Sequence, residues 1–349
     1  MKVLVDALPL RHGGGVTYLQ AQLAALAATD PDLDLHTLVA PWTTLAGLPG
    51  RTSTVRVGSV PVRFGYEIGR LPFARADVLY CPANFGPAAA RTPTVLTLHN
   101  PNYYRAGLAL AETAPVRSRW KLWANRAAMR GAAAVVAISE SFADEVRATV
   151  PWVAAKLRVI RSGAPQWTGP SAPLPGLPSQ YLLTIASEAP HKRVADVVRG
   201  WAQAAARSSA VPPLVAIGGL TAEQRAQCES AAGPRRADLH LLGRIGDRGQ
   251  LRWAFEHASA LVSMSVLEAF PLTPAEAGSV GCPLVLSDIP PHREVTLGLA
   301  TFVAPGAVAE LADVLAEGEF VPGSKPWEWP VTWAENARAL RTLFGEVSR

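Results

Sequence analysis

The sequence predicts an α/β protein of two domains, each built on a parallel sheet. The chain has 349 residues, enough to bury two separate cores. Short apolar runs alternate with helix-length segments and end in polar or glycine-containing loops. The stretch from Pro165 to Pro178 holds five prolines and two glycines, and reads as an interdomain linker.

Composition excludes several classes. Hydrophobic residues make up 49% and charged residues 17%, as in an ordinary globular protein. No apolar run approaches the ~20 residues that span a bilayer. Met1 to Ala7 is too short for a signal-peptide core, and Asp6 interrupts it. Cys81, Cys228 and Cys282 are scattered and odd in number, which fits a reducing compartment and predicts a cytoplasmic protein. No repeat of fixed period is present. The net charge of +5 divides unevenly: residues 1–165 carry +8 and the remainder −3. A basic half can attract anionic lipid, nucleic acid or a phosphorylated acceptor, or can simply carry solvated arginines.

The first strand is Lys2 to Ala7. A glycine-rich turn, Gly13-Gly14-Gly15, leads into a helix reaching about Ala28, and such a turn lets backbone approach a ligand. It is neither a Gly-x-Gly-x-x-Gly fingerprint nor a Walker loop. Leu35 to Ala40, Val55 to Val60 and Asp77 to Cys81 read as strands. Thr94 to Leu98 is a buried strand ending at His99 and Asn100, so His99 falls at a carboxyl end, where ligands bind in such sheets. Arg117 to Arg130 forms a basic helix with Trp120, Trp123 and Ala127 on one face. That face either packs on its own sheet or lies on an anionic membrane. Ala132 to Ile138 is a strand, and Ser139 or Ser141 caps the helix after it.

The second half opens with the strand Tyr181 to Ala186 and the loop Ser187 to Arg193. Lys192 stands at a helix start, where the dipole disfavours a cation, so an anion is expected nearby. Leu214 to Ile217 and Leu239 to Leu242 are further strands. The organising stretch is Ser263 to Glu276, set between apolar runs at Ala260 to Met264 and Pro283 to Leu286, and the whole reads as strand, loop, helix and strand. It places Glu268 in a loop at a carboxyl end and Glu276 in the first turns of the helix. Two such carboxylates can hold sugar hydroxyls on either side of a diphosphate seated at the helix start.

The text from Glu268 to Val285, with Glu276 eight residues after Glu268, resembles the Glu-x7-Glu signature of retaining glycosyltransferases of family four. The resemblance runs on through Ser287-Asp288-Ile289-Pro290-Pro291-His292-Arg293-Glu294-Val295. It covers nearly the whole chain and is loosest from Leu45 to Arg75. It implies the GT-B architecture: two Rossmann-like domains facing a cleft, at 1–165 and 166–330. The last helix, 331–349, returns to the first domain. It implies an acceptor side in the first domain and a nucleotide-sugar donor in the second.

The residues carried over follow the motifs. Lys192 corresponds to the lysine on the donor diphosphate, Glu276 to the ribose ligand, and Glu268 to the group at the donor sugar or its developing charge. His99 corresponds to the histidine near the transferred sugar. Gly14 and Gly15 match the glycine-rich first loop, while Arg244 and Ile245 match the segment at the nucleotide base. Phe270, Leu272 and Thr273 are expected as backbone donors. The sequence also departs from the pattern. Asn100 stands where an aspartate is usual, and Ser187 where an arginine precedes the lysine by five, so either Arg193 or His191 compensates or the phosphate contacts are fewer. Ala269 and Pro271 replace two glycines, and proline has no N–H to offer.

The expected reaction is glycosyl transfer with retention, to a hydroxyl of a lipid-linked, polysaccharide or small-molecule acceptor. No metal or other cofactor is expected, because Lys192 and helix N–H groups meet the leaving diphosphate and no Asp-x-Asp is present. Nucleic acid is not an expected partner, and peripheral attachment to the inner membrane face through the basic first domain is. The alternatives are a nucleotide-sugar epimerase of similar fold and a non-catalytic sugar-binding protein.

Overall fold

The computed structural model describes residues 1–11, 14–43, 47–104, 119–165, 167, 169–320, 327 and 329–349. The chain divides into two compact units. Unit 1 comprises Met1–Ala164 and Pro330–Arg349, and unit 2 comprises Pro165–Trp329.

Unit 1 holds the strands β1 (Lys2–Asp6), β2 (Asp34–Val39), β3 (Arg51–Thr54), β4 (Val78–Cys81), β5 (Thr94–Leu98), β6 (Ala134–Ala137) and β7 (Leu157–Val159). They form one parallel sheet in the order β3-β2-β1-β4-β5-β6-β7. Its helices are α1 (Gly14–Thr29), α2 (Val60–Gly69), α3 (Arg119–Gly131) and α4 (Glu140–Thr149). Every residue of β4, β5 and β6 is buried, which explains why these strands read as unbroken apolar runs. Ser139 caps α4, its hydroxyl accepting from Phe142 N–H at 3.2 Å.

Unit 2 holds β8 (Leu182–Ala186), β9 (Leu214–Gly218), β10 (Leu239–Gly243), β11 (Ala260–Ser263), β12 (Leu284–Ser287) and β13 (Thr301–Val303). They too are parallel, in the order β10-β9-β8-β11-β12-β13. Its helices are α5 (Val194–Arg207), α6 (Ala222–Ala232), α7 (Arg248–Glu256), α8 (Leu272–Gly278), α9 (Pro290–Thr296) and α10 (Val308–Glu317). Its core packs Val198, Trp201 and Leu311 against Val262 and Val285 on one face of the sheet, and Phe255 and Ala277 against Leu183 and Leu261 on the other.

The final helix, α11 (Trp333–Val347), belongs to unit 1. Its Leu340, Leu343 and Phe344 share a core with Leu19, Leu23 and Leu26 of α1. A buried polar network fixes the register. Gln22 Nε2 donates to Asn336 Oδ1 at 2.9 Å and to Tyr18 at 2.8 Å, while Tyr80 donates to Gln22 Oε1 at 2.5 Å. Asn336 in turn donates to Arg161 O at 2.7 Å. Thr332 and Glu335 close a capping box at the start of α11.

Four expectations need correction. The predicted strand Val55–Val60 is displaced: β3 ends at Thr54, and Val60 opens α2, with Ser59 as its cap and Pro61 in its first turn. Gly14 and Gly15 sit in the first turn of α1 rather than in a loop, and neither has a positive φ. The proline-rich stretch is not a free linker. Its Trp167, Leu174 and Leu177 pack on the unit 2 core, because apolar side chains stand between the prolines. In α3 the buried residues are Asn125, Ala128 and Met129, while Trp120 and Trp123 are 42% and 68% exposed. The tryptophan face therefore does not pack on the sheet.

Candidate active site

Both sheets reverse strand order once, between β1 and β4 in unit 1 and between β8 and β11 in unit 2. In open parallel sheets, loops at the carboxyl ends beside such a reversal form the binding crevice. Lys192 follows β8 and Glu268 follows β11, so the two flank the reversal in unit 2. Lys192 Nζ donates to Glu268 Oε1 at 2.6 Å. Val266 N–H also donates to His191 O at 2.9 Å, which ties the two loops together. Burial disfavours charge on Glu268, but Lys192, with His292 and Ser265 behind it, holds the carboxyl below the ordinary glutamate range.

Glu276 projects from α8 and is buried. Arg248, at the start of α7, donates to its Oε1 at 2.8 Å and stacks over Trp167 at 4.5 Å. Burial raises the Glu276 carboxyl, and Arg248 only partly offsets this. Arg248 lies 28 residues before its partner, and no local pattern marks it.

Some predicted donor residues are placed differently. Leu272 N–H already donates to Phe270 O at 3.0 Å, so it is not a free donor. The Phe270 ring is buried edge-on to Trp329 at 5.4 Å. Thr273 lies in the first turn of α8. Arg193 takes a left-handed conformation, φ 52°, and its guanidinium pairs with Asp196, which Arg199 also holds. Arg193 and Ser187 line a cavity of about 570 Å³ with Asp196, Thr221 and Gln224, between α5 and α6. Lys192, Glu268 and Glu276 are not among its lining residues. Arg244 reaches Glu188 Oε1 at 3.4 Å, and Ile245 packs on the core. His191, the other expected substitute, stays beside Lys192 and Glu268, whose charges act on its ring.

His292 had no role assigned from the sequence. It is fully buried, and its Nδ1 lies 2.8 Å from Ser287 O and 3.2 Å from Ser287 Oγ. Its Nε2 has no partner. Burial lowers its pKa, Glu268 pulls it up, and Lys192 pushes it down.

In unit 1, His99 follows β5. Asn84, in a left-handed conformation at φ 65°, accepts from His99 N–H at 2.8 Å and from Asn100 N–H at 2.9 Å. The His99 ring meets Tyr18 edge-on at 4.3 Å, and its Nε2 has no partner among the described residues. Burial pushes the ring down to about 3, so it is neutral at physiological pH. Asn100 spends its side chain on Asn102 N–H at 2.9 Å. His12 and Gly13 of the first loop lie outside the described residues. At the end of β1, Asp6 and Glu67 are buried near Arg63, whose Nε is 3.2 Å from Glu67 Oε1 without forming a hydrogen bond. Burial pushes Asp6 up to about 7. Burial, and then Asp6 itself, pushes Glu67 up to about 8.

Among the described residues, no group of three or more His, Cys, Asp or Glu side chains is arranged to hold a metal ion. Nor is any helix there long and apolar enough to cross a membrane.

Residues 174–319 match the family described as glycosyl transferases group 1, and residues 12–165 match glycosyltransferase family 4. No curated protein matches the chain. Among solved structures, a sucrose-phosphate synthase from Thermosynechococcus elongatus is similar at 17% identity and a TM-score of 0.66, over 99% of this chain and 96% of that one. WaaG, a glycosyltransferase involved in lipopolysaccharide biosynthesis, is similar at 16% identity and a TM-score of 0.67, over 100% and 98%. HepE from Anabaena, in complex with UDP and glucose, is similar at 16% identity and a TM-score of 0.57, over 100% and 97%. With both units matched and the two parallel sheets in place, the chain is a two-domain GT-B enzyme that belongs to the group 1, family four glycosyltransferases.

Proposed function

We propose that this glycosyltransferase moves a sugar, with retention of configuration, from a nucleotide-sugar donor to a hydroxyl of its acceptor, without a metal ion. The observation that carries this reading is the Lys192–Glu268 ion pair, with Glu276 eight residues further on. An ammonium held on a carboxylate at 2.6 Å is a cation that an incoming diphosphate can recruit. As the glycosidic bond to the diphosphate breaks, charge grows on the leaving oxygen. Lys192 stabilises it, an effect typically worth several kcal/mol in a preorganised site. Glu268, released from the lysine, faces the donor sugar, and Glu276 accepts from ribose hydroxyls. The neutral His99 ring offers a hydrogen bond to a sugar hydroxyl.

The donor reading has support in HepE, whose structure holds UDP and glucose. A thermal-shift panel of UDP, GDP and ADP tests it, with stabilisation by one diphosphate in the presence of EDTA expected. Stabilisation that requires Mg²⁺ or Mn²⁺ overturns the metal-free mechanism. Release of free nucleotide only with acceptor present separates transfer from epimerisation.

The protein is further proposed to work in the cytoplasm, docked reversibly on an anionic membrane through unit 1, which suits a lipid-linked acceptor. The exposed Trp120 and Trp123, with Lys121 beside them, support this. Arg130 stacks on the half-exposed Trp152 at 4.8 Å. Arg126 does not contribute, since it turns inward to Tyr103 O at 2.8 Å. Arg117 lies outside the described residues. Each surface cation is worth ~1 kcal/mol at an anionic surface. Vesicles of anionic lipid should sediment the protein at low salt, and Trp123→Ser with Lys121→Gln should weaken that. Protein that stays in the supernatant at low salt points to a soluble acceptor.

A further inference from the structure

Four contacts in unit 2 close a circuit through Glu276. Arg248 Nη1 donates to Glu276 Oε1 at 2.8 Å. The Arg248 guanidinium lies over the Trp167 ring at 4.5 Å. Trp167 Nε1 donates to Ser279 Oγ at 2.9 Å, and the Ser279 hydroxyl donates to Glu276 O at 2.7 Å. The Trp167 ring also meets Phe255 of α7 edge-on at 5.9 Å. The proline-rich segment that carries Trp167 clamps the start of α7 as well. Ala172 N–H donates to Gly249 O at 3.1 Å, and a Cβ on Gly249 would stand 2.7 Å from Pro170 O. Asp247 caps that end of the helix, its Oδ1 accepting from Gly249 N–H at 2.7 Å. Arg248 is thus held at its backbone and at its guanidinium.

The ion pair is one-pronged. An arginine fork commonly takes both oxygens of a carboxylate, but among the described residues only Oε1 of Glu276 receives a donor. The Trp167 ring fixes where the guanidinium sits, and from there one N–H reaches the acid. Oε2 keeps its lone pairs, and it is not sealed. The Glu276 side chain is 11% exposed and that of Arg248 36%, so a ligand can reach the pair.

We propose that Arg248 and Trp167 are positioning residues for the donor: Trp167 holds the guanidinium, and the guanidinium holds Glu276 with Oε2 open to the vicinal hydroxyls of the ribose. The inference rests on the reading that Glu276 accepts from those hydroxyls. It makes the proline-rich segment part of the nucleotide site. Preference for a ribose over a sugar without the two hydroxyls then becomes a property that Arg248 and Trp167 set. Burial works against charge on Glu276 and Arg248 works for it, so the acid is the better acceptor while the arginine stays in place.

The test is calorimetry with two probes, a nucleoside diphosphate and its 2′,3′-dideoxy form, using whichever of UDP, GDP and ADP binds. Wild-type protein should hold the ribose form about tenfold tighter or more. Arg248→Met should bring that ratio close to one by weakening the ribose form, with the dideoxy affinity unchanged. Arg248→Lys keeps the charge and should keep part of the ratio. Trp167→Leu, which frees the guanidinium, should lower the ratio several-fold. Because Arg248→Met leaves a buried acid without its cation and can lose its fold, Arg248→Lys and Trp167→Leu carry the same comparison. A purely structural pair would weaken both probes alike. That outcome, or an unchanged ratio in these variants while Glu276→Ala abolishes it, overturns this inference and leaves the ribose reading intact. A ratio lost in the Arg248 variants but kept in Trp167→Leu overturns the assignment to Trp167. If wild-type protein binds the two probes equally, Glu276 is not the ribose ligand, and this inference fails with that reading. If neither UDP, GDP nor ADP binds, the donor reading itself fails.

Discussion

In unit 2 each buried glutamate has a cation of its own: Lys192 sits on Glu268 and Arg248 on Glu276. In unit 1, Asp6 and Glu67 are buried at the end of β1, where Arg63 is the one cation acting on both among the described residues, and three of their four carboxylate oxygens have no hydrogen-bond partner there. Lys192 holds Glu268 below the ordinary carboxylate range, whereas burial lifts Asp6 and Glu67 towards neutrality. A carboxylate with a detachable cation can offer its charge to a ligand. A carboxyl that carries its own proton cannot, and it makes the unit around it sensitive to pH.

The comparison breaks most sharply at Lys192. Lys192→Met should destabilise unit 2 by on the order of 2–3 kcal/mol, below the range for a fully buried pair because the lysine keeps some contact with water. Adding Glu268→Gln should restore much of that loss. Hydrogen exchange across β11 reads both, and equal protection in all three proteins would show that the pair carries no stability. Glu276→Ala should weaken diphosphate binding about tenfold, the value of one charged hydrogen bond, in isothermal calorimetry. Unchanged affinity removes Glu276 from the site.

The unit 1 acids predict a pH dependence of the opposite kind. Asp6 and Glu67 have raised pKa values in the folded protein, so the folded state holds protons that the unfolded chain releases. The stability they contribute is complete below the unfolded values, near 4, and is lost progressively as pH rises to about 7–8. Unfolding of unit 1 should therefore ease between pH 5 and 8, and Asp6→Asn should flatten the slope. A wild-type profile that is level across that window would mean that the pair is ionised throughout. The smallest effect is at the end of the chain. Thr332→Ala removes the capping box of α11 and should cost about 1 kcal/mol, felt in unit 1 and not in unit 2.

Much of this architecture was legible because parallel strands buried on both faces must be continuously apolar, as β4, β5 and β6 are. Lys192, Glu268 and His99 were legible for a related reason: carboxyl ends of such strands are where polar residues interrupt the apolar text. Their partners were not. Arg248 and Asn84 meet their targets through tertiary contacts that carry no local period, and the inward turn of Arg126 is invisible to helical spacing. β3 was misplaced because Val55 and Val57 are apolar enough to suggest a strand, while the actual strand, Arg51–Thr54, is a polar edge. His292 lies within the motif Ser287 to Val295, but only its burial and its unpaired Nε2 mark it out.

The shared core of α1 and α11 also sets an order of assembly. Unit 2 is one continuous segment, so it can close as soon as residues 165–329 have left the ribosome. Unit 1 begins earlier but cannot finish then, because Leu340, Leu343 and Phe344 fill the space over β1. Until they arrive, Leu19, Leu23 and Leu26 present an uncovered apolar stripe to solvent or to a chaperone. The half of the chain that is made first is therefore the half that folds last.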